Sequence, residues 1–339
     1  MTARAPIDDV RAISRIAYGF IASKALFAAL ELDLFGHLQG GATLATLAAA
    51  TGIAPQRLRT LLISLVSLGL VTSDADRFAN APASARYLVR GAPAYFGEYY
   101  RHQVSRQLYP AMDRIDAGLA GRDADLLFAG EEGLMSDPAQ AATFSRAQHA
   151  GSMGPAMMLA RGLDLTTARR MLDIAGGSGA FSIALCRRNP GLTSTILDFP
   201  NVAALATTYV AESGLADRIA TIGGNALTTA WPGGQDIVLM SYLLSAVAEP
   251  DIDSLFAKAK AALAPGGRLV VHDFMLDNDE AGPDLAAHWF LLNLALSTNG
   301  IAFTPKDLST RLASHGLKVV SAQDHIHDIT KVLIAENAL

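Results

Sequence analysis

Cysteine is nearly absent from this chain of 339 residues, in which Cys186 stands alone. A single cysteine cannot form a disulfide within the chain, so the sequence argues against a disulfide-stabilised secreted fold. The N-terminal segment MTARAPIDDV also lacks an apolar stretch behind a basic start, so we expect no signal peptide. Together these features predict a cytoplasmic protein.

Charge is also scarce and evenly mixed. Charged residues make up 17% of the chain, and 27 basic against 32 acidic side chains give a formal net charge of −5. Nucleic acids and anionic membranes attract clustered basic side chains, so we expect neither as a partner. Residues 285–305 contain no Asp, Glu, Lys or Arg, but polar residues such as Asn293 interrupt them, which predicts a buried helix rather than a membrane span.

Hydrophobic residues, by contrast, reach 51%, and the first part of the chain arranges them at helical spacing. Within it, a short helix, a turn at Thr51-Gly52, a helix that begins near Pro55, a stop at Gly69 and a strand pair over 70–79 form a winged-helix pattern. The second of these helices is strongly apolar. We therefore expect this domain to pack against another subunit rather than to bind DNA.

The pattern changes class after residue 168. Seven short β-rich runs, RRMLDIAG, TSTILDF, RIATIGG, DIVLMSYLL, GRLVVHDFML, LKVVSAQDHI and DITKVLIAEN, now alternate mostly with helical segments. This alternation predicts a doubly wound parallel α/β sheet with its ligand crevice at the carboxyl ends of the strands. We set the domain limits at 1–160 and 161–339.

The first strand of this second domain ends in a glycine-rich turn that leads directly into a helix. Its sequence, Asp173-Ile174-Ala175-Gly176-Gly177-Ser178-Gly179, lets the backbone turn tightly and approach a ligand closely. A dinucleotide fingerprint would place a third glycine where Ser182 stands, so NAD and FAD fit poorly.

Two carboxylates define the ligand further. Asp198 ends the next strand, nineteen residues after Gly179, where an acidic side chain accepts hydrogen bonds from both hydroxyls of a ribose. Asp173 would repel a pyrophosphate but suits a cation. These residues describe a positively charged nucleoside without phosphate, and S-adenosylmethionine has that chemistry.

These motifs resemble the class I S-adenosylmethionine-dependent small-molecule O-methyltransferases of the plant caffeate and bacterial antibiotic-tailoring type. The resemblance rests on ALELDLFGHL and LLISLVSLGLV in the first domain and on LDIAGGSGAFS, ILDFPNV and AALAPGGRLVVHDFML in the second. It implies a Rossmann-like doubly wound sheet of seven strands, an N-terminal all-α winged-helix dimerisation domain, a homodimer and a small-molecule acceptor. It also implies a set of cofactor contacts, namely Asp173, Gly176, Gly177, Gly179, Asp198, Asn225, Ser152 and Ser241. Asn225 stands where the family commonly has an adenine-contacting Asp.

The chain departs from the family at the general base. Plant-type members carry a histidine after the fourth strand, and the segment DIVLMSYLLSAVAEP places Ser245 at that position. Of the two acids that orient the histidine, one corresponds to Asp273 and the other falls at Ala302. Methyl transfer depends mainly on alignment, so loss of the base shifts the expected acceptor toward activated phenols, enols or carbon nucleophiles.

Other side chains are candidates for acceptor chemistry. His288 is a candidate base, and the predicted substrate-binding residues are His102, His149, Met153 and Asn293. His325 and His327 alternate on a late strand and are expected to face solvent. No pair of histidines has convincing metal-ligand spacing, so we expect no metal site.

The sequence therefore predicts a methyltransferase of specialised metabolism that acts on an oxygen or carbon of an aromatic, polyketide-like or keto acceptor. Two alternatives remain open. The same fold and cofactor could serve a hydroxylase, a decarboxylase or a pericyclase, or the first domain could belong to a winged-helix regulator.

Overall fold

The computed structural model describes residues 6–122, 136–297 and 301–337. The chain forms two compact units that divide between Tyr109 and Pro110. The domain limits predicted from the sequence, 1–160 and 161–339, differ from this division because they were placed where the β-rich runs begin. Helix Pro138–Gly162 therefore lies on the other side of the division, because it packs against two helices of the sheet-containing unit.

The first unit consists mainly of short helices around an apolar core. The helices are α1 (Val10–Ala17), α2 (Gly19–Glu31), α3 (Leu34–His37), α4 (Leu44–Thr51), α5 (Pro55–Ser67), α6 (Pro82–Tyr87) and a π-helix (Tyr99–Leu108), with α7 (Tyr109–Ala111) at the division. Strands β1 (Ala42–Thr43), β2 (Val71–Asp74) and β3 (Arg77–Asn80) form an antiparallel sheet in the order β1-β3-β2.

The predicted helix-turn-helix and strand pair are confirmed. Gly52 ends α4 in the left-handed conformation, at φ 69°, which glycine adopts without steric cost. Pro55 is the first residue of α5. An N–H at this position has no partner within the helix, so proline costs no hydrogen bond there. Leu58, Leu62 and Leu65 then bury one face of α5.

Helices α1 and α2 expose many of their apolar side chains. Val10, Ile13 and Ile16 are 71%, 57% and 70% exposed, and Phe20 and Ile21 are also largely exposed. By length and composition alone, the stretch Val10–Glu31 would be able to cross a membrane. An exposed apolar surface of this kind marks a partner surface.

The second unit is a sheet covered by helices. Its helices are α8 (Ile115–Leu119), α9 (Pro138–Gly162), α10 (Ala180–Arg188), α11 (Pro200–Glu212), α12 (Glu249–Ala262), α13 (Asp284–Ser297) and α14 (Pro305–Ser314). Its strands are β4 (Arg170–Ile174), β5 (Thr193–Asp198), β6 (Ile219–Gly223), β7 (Gln235–Ser241), β8 (Leu263–Asp273), β9 (Leu317–Ile326) and β10 (Thr330–Asn337).

The seven strands lie in the order β6-β5-β4-β7-β8-β10-β9. The first five are parallel, as expected, whereas β10 runs antiparallel to both β8 and β9. Only residues 327–329 join β9 to β10, and so short a connection cannot carry the crossover that parallel strands need. The strand order reverses between β4 and β7, so the ligand crevice of such a sheet lies at their carboxyl ends.

Alternating side chains divide the core into two layers. Leu172 and Ile174 face α12 and α14, whereas Met171 faces α9, α10 and α11. The same alternation in β8 sends Asp273 to the first layer and His272 to the second.

Gly118 allows α8 to approach α13 closely. A Cβ at this position would lie 2.2 Å from the carbonyl oxygen of Leu294, which is backbone and cannot rotate away. We expect Gly118→Ala to lower the free energy of unfolding by about 1–3 kcal/mol in urea titrations. Gly162→Ala is the matched control, since a Cβ there meets no atom within 4 Å. Equal stability of the two variants would contradict this packing.

Candidate active site

The glycine-rich turn after β4 depends on glycine at specific positions. Gly177 and Gly179 have φ angles of 57° and 79°, a region that favours glycine. A Cβ on Gly176 would lie 2.7 Å from Asp173 Cγ, and one on Gly179 would lie 2.7 Å from the Ile196 side chain. Gly177 instead faces open space, with no atom within 4 Å of a Cβ, so the turn leaves room for a ligand there.

Asp198 connects the end of β5 to this turn. Its Oδ2 accepts a hydrogen bond from the Gly177 N–H at 2.8 Å, and its Oδ1 accepts one from the Phe199 N–H at 2.7 Å. Burial raises the pKa of Asp198 to about 6, although both hydrogen bonds oppose the shift. Each carboxylate oxygen keeps a second lone pair, so the group can still accept from the two hydroxyls of a ribose.

Asp173 lies beneath the same turn and is fully buried. Its Oδ2 accepts a hydrogen bond from Ser182 Oγ at 2.6 Å, and Ser182 also lies 2.8 Å from Ser194 Oγ. Its Oδ1 has no hydrogen-bond partner among the residues that the structure describes. Burial, and to a smaller extent the nearby Asp198, raise its pKa to about 7. A positively charged ligand beside this carboxyl would favour its ionised form.

Three further predicted cofactor contacts have different surroundings. Asn225 follows β6, and its Oδ1 accepts a hydrogen bond from the Leu227 N–H at 2.8 Å, which closes a turn. Ser241 ends β7 with its Oγ 2.8 Å from His272 Nδ1. Ser152 is half-buried on α9. Their contacts with a cofactor stay predictions.

His149 contacts the glycine-rich turn directly. Its Nδ1 lies 2.8 Å from Ser178 Oγ, and its ring stacks on Tyr209 with centroids 4.3 Å apart. Burial, with a smaller contribution from Arg187, lowers its pKa. The predicted substrate contact of His149 is untested, and the sequence did not single out Ser178 and Tyr209 because the pairing joins residues far apart in the chain.

Ser245, Asp273 and Asn293 come together in one buried cluster. The Ser245 Oγ donates to Asp273 Oδ1 at 2.6 Å, and the Ser245 N–H donates to Asp273 Oδ2 at 3.1 Å. The Asn293 amide in turn donates to the Ser245 carbonyl. Ser245 is 2% exposed and Asp273 is fully buried, and burial raises the Asp273 pKa to about 6. The hydroxyl of Ser245 is therefore engaged with a carboxylate.

The remaining predicted residues do not join this cluster. His288 is exposed on α13. It lies five residues from Asn293, and that spacing turns the two side chains about 140° apart around the helix. Met153 is half-buried on α9. His102 belongs to the first unit, where its Nε2 lies 2.9 Å from Glu98 Oε1.

The expectation for His325 was wrong. Its Nε2 lies 3.0 Å from the Pro155 carbonyl oxygen, and its ring packs edge-on against His272 at 4.6 Å. Helix α9 covers this face of the sheet, so strand alternation alone misassigned the side chain to solvent. His327 is exposed, as expected. Across residues 6–122, 136–297 and 301–337, no group of three or more His, Cys, Asp or Glu side chains is arranged to hold a metal ion.

The sheet order, the glycine-rich turn and the two carboxylates at the strand ends are those expected of the class I methyltransferase fold. Residues 131–318 match the O-methyltransferase domain family, and residues 14–90 match the O-methyltransferase dimerisation domain. The chain belongs to the O-methyltransferase family. It is an S-adenosylmethionine-dependent methyltransferase, as the resemblance implied.

Two curated relatives come from Streptomyces species. The 3-hydroxy-5-methyl-1-naphthoate 3-O-methyltransferase of Streptomyces sahachiroi is 30% identical over 91% of this chain and 89% of its own length. The tetracenomycin polyketide synthesis 8-O-methyl transferase of Streptomyces glaucescens is 31% identical over 90% of each chain. The chain is thus similar along most of its length to enzymes of natural-product biosynthesis.

Human N-acetylserotonin methyltransferase, solved in complex with S-adenosylmethionine, has the same fold. Its TM-score is 0.86 at 22% identity, and the match covers 100% of both chains. The predicted fold class is confirmed.

The buried carboxyl of Asp173 should make the stability of the ligand-free protein depend on pH. Its pKa is raised from 3.8 to about 7, so the folded chain binds this proton more tightly than the unfolded chain does. The resulting stabilisation is present below pH 3.8 and is lost as the pH rises through 7. We expect Asp173→Asn to flatten this decline in urea titrations across the pH range. The exposed Asp217→Asn is the control with the same change in charge, and an unchanged slope in Asp173→Asn would contradict the assignment.

Proposed function

We propose that the enzyme transfers a methyl group to an oxygen, or to a carbon nucleophile, of a small aromatic, polyketide-like or keto acceptor in specialised metabolism. The observation that carries this proposal is the Asp198 carboxylate at the end of β5, which accepts a hydrogen bond from the Gly177 N–H in the turn that follows β4. It offers a ribose two acceptor oxygens beside a turn that leaves room for a ligand.

The residues of the site fit S-adenosylmethionine. Gly177 faces open space, Asp198 has free lone pairs, and Asp173 has an unpartnered oxygen beneath the turn among the described residues. When bound, this cofactor supplies an activated methyl group on a sulfonium that is already a good leaving group. The protein then needs to align the acceptor and exclude water.

Ser245 is unsuited to act as a general base. Its hydroxyl donates a hydrogen bond to Asp273 and is almost inaccessible. In this arrangement it can neither take a proton from the methyl-acceptor molecule nor contact that molecule. We propose that Ser245, Asp273 and Asn293 are positioning residues that fix the chain after β7 against α13. Reaction by proximity requires an acceptor that ionises readily, because a phenol with a pKa of about 10 is mostly protonated at neutral pH.

Both relatives are named as O-methyltransferases of fused aromatic or polyketide molecules. Their names support oxygen over carbon as the nucleophile and a phenolic ring system as the acceptor. We also propose a cytoplasmic homodimer, formed through the first unit. The dimerisation-domain match and the exposed apolar side chains of α1 and α2 support this assembly.

The first test is cofactor binding by calorimetry. We expect wild-type protein to bind S-adenosylmethionine and Asp198→Ala to bind it at least about tenfold more weakly, because a hydrogen bond to a charged group is lost. Asp217→Ala removes a carboxylate from an exposed position and should bind normally. Lack of binding by the wild type would refute the proposal.

The second test separates positioning from base catalysis. With labelled S-adenosylmethionine and a panel of hydroxynaphthoates of graded phenol pKa, we expect kcat/KM to rise with phenol acidity. We expect Ser245→Ala to retain the rate within about tenfold, whereas loss of a general base costs roughly 10² to 10⁴. Its folded state should be less stable by about 1–3 kcal/mol, since the buried Asp273 loses a donor. His288→Phe is measured in parallel, and a loss above a hundredfold would identify His288 as the base.

The absence of the family histidine also favours one alternative, a reaction in which the cofactor is retained but no methyl group moves. Product formed without S-adenosylhomocysteine would establish that alternative. NMR of a methylated product would distinguish an O-methyl from a C-methyl group.

A further inference from the structure

Hydrogen bonds link Ser241, His272 and Thr330 across three strands beside the crevice. The proposed reaction gives no role to His272 or Thr330. Ser241 ends β7, His272 lies in β8 and Thr330 begins β10. The Ser241 Oγ is 2.8 Å from His272 Nδ1, and the Thr330 Oγ1 is 3.0 Å from His272 Nε2. His272 is 0% exposed and Thr330 is 1% exposed, whereas Ser241 retains 9%.

The imidazole in the middle of this line is neutral. Burial, and to a smaller extent the neighbouring His325, lower the His272 pKa well below its ordinary value. The rings of Phe181 and Tyr242 also pack against it, at 5.4 and 4.5 Å between centroids. A neutral imidazole carries one proton, so one ring nitrogen donates and the other accepts.

The surroundings of Thr330 decide which nitrogen donates. The Thr330 Oγ1 already accepts a hydrogen bond from the Ile326 N–H at 3.4 Å. Within the described part of the chain, the only acceptor within reach of its own proton is His272 Nε2. If Nε2 carried the ring proton instead, a buried hydroxyl proton would have no acceptor, which is a costly arrangement. Thr330 therefore donates to Nε2, and Nδ1–H donates to Ser241.

This direction fixes the role of the Ser241 hydroxyl. Its oxygen accepts from His272, so its own proton remains to be donated elsewhere. Ser241 lies at the carboxyl end of β7, beside the β4 end that opens into the glycine-rich turn. Of the two charged groups on the amino-acid tail of S-adenosylmethionine, the carboxylate accepts hydrogen bonds and the ammonium only donates them.

We propose that His272 and Thr330 are positioning residues that orient the Ser241 hydroxyl to donate to the carboxylate of the cofactor. The inference rests on the proposed function, because it needs S-adenosylmethionine in the crevice. His272 and Thr330 are too deeply buried to touch a ligand, so they would act on cofactor binding only through Ser241.

The test compares two ligands by calorimetry, S-adenosylmethionine and its decarboxylated form, which keeps the sulfonium and the amino group. We expect Ser241→Ala to bind S-adenosylmethionine at least about tenfold more weakly, as for the loss of a charged hydrogen bond. Thr330→Val should weaken S-adenosylmethionine binding by roughly threefold or more. The double variant Ser241→Ala/Thr330→Val should bind only slightly more weakly than Ser241→Ala alone. None of these variants should change the affinity for the decarboxylated ligand.

Two controls separate positioning from damage to the fold. Thr330→Ser keeps the hydroxyl and should restore wild-type affinity, and His327→Asn alters a histidine that is exposed. Equal weakening of both ligands, failure of Thr330→Ser to restore affinity, or additive losses in the double variant would overturn the inference. If the wild type bound neither ligand, the proposed function itself would be wrong.

Discussion

The hydrogen bond from the Gly177 N–H to the Asp198 carboxylate is the constraint on which the site depends. It joins the turn after β4 to the end of β5, so a single carboxylate fixes the backbone that would face a nucleoside and also presents oxygens to it. Asp173 supports the same turn from below, and His149 contacts it from α9 through Ser178. The geometry of the turn therefore depends on β4, which leads into it, and on α9 and β5, which come from other parts of the chain.

Alternation along β8 gives the two halves of the site different chemistry. Asp273 points to the layer of α12 and α14 and engages Ser245, while His272 points to the layer of α9, α10 and α11 and engages Ser241. In the function and inference proposed above, adjacent residues would thus serve the acceptor side and the cofactor side separately. A shift of β8 by one residue would exchange these environments and disrupt both, which explains why a long strand paired on both sides holds them.

Much of the fold was predictable because its signals are local. Glycines, prolines and apolar spacing predicted α4, α5, β2 and β3, and β4 was recognised from the glycine-rich turn that follows it. The antiparallel position of β10, the half-buried His325 and the contact of His149 with Ser178 were not predictable. Each depends on which distant segments pack together, and neither composition nor periodicity contains that information. The Ser245 substitution was readable, but its engagement with Asp273 required the fold.

Ala175 has a consequence for engineering this scaffold. Its φ of 53° is left-handed, although it carries a Cβ, and its N–H donates to the Leu197 carbonyl at 2.8 Å, which holds it there. A left-handed residue other than glycine carries about 1–2 kcal/mol of strain, which the neighbouring strand must offset. Replacement of Ala175 by glycine would remove this strain, so a search for more heat-resistant variants could start at this position beside the crevice. That gain would come with a looser backbone at the place where ligand affinity depends on rigidity, so thermal tolerance and tight binding would compete at this one position.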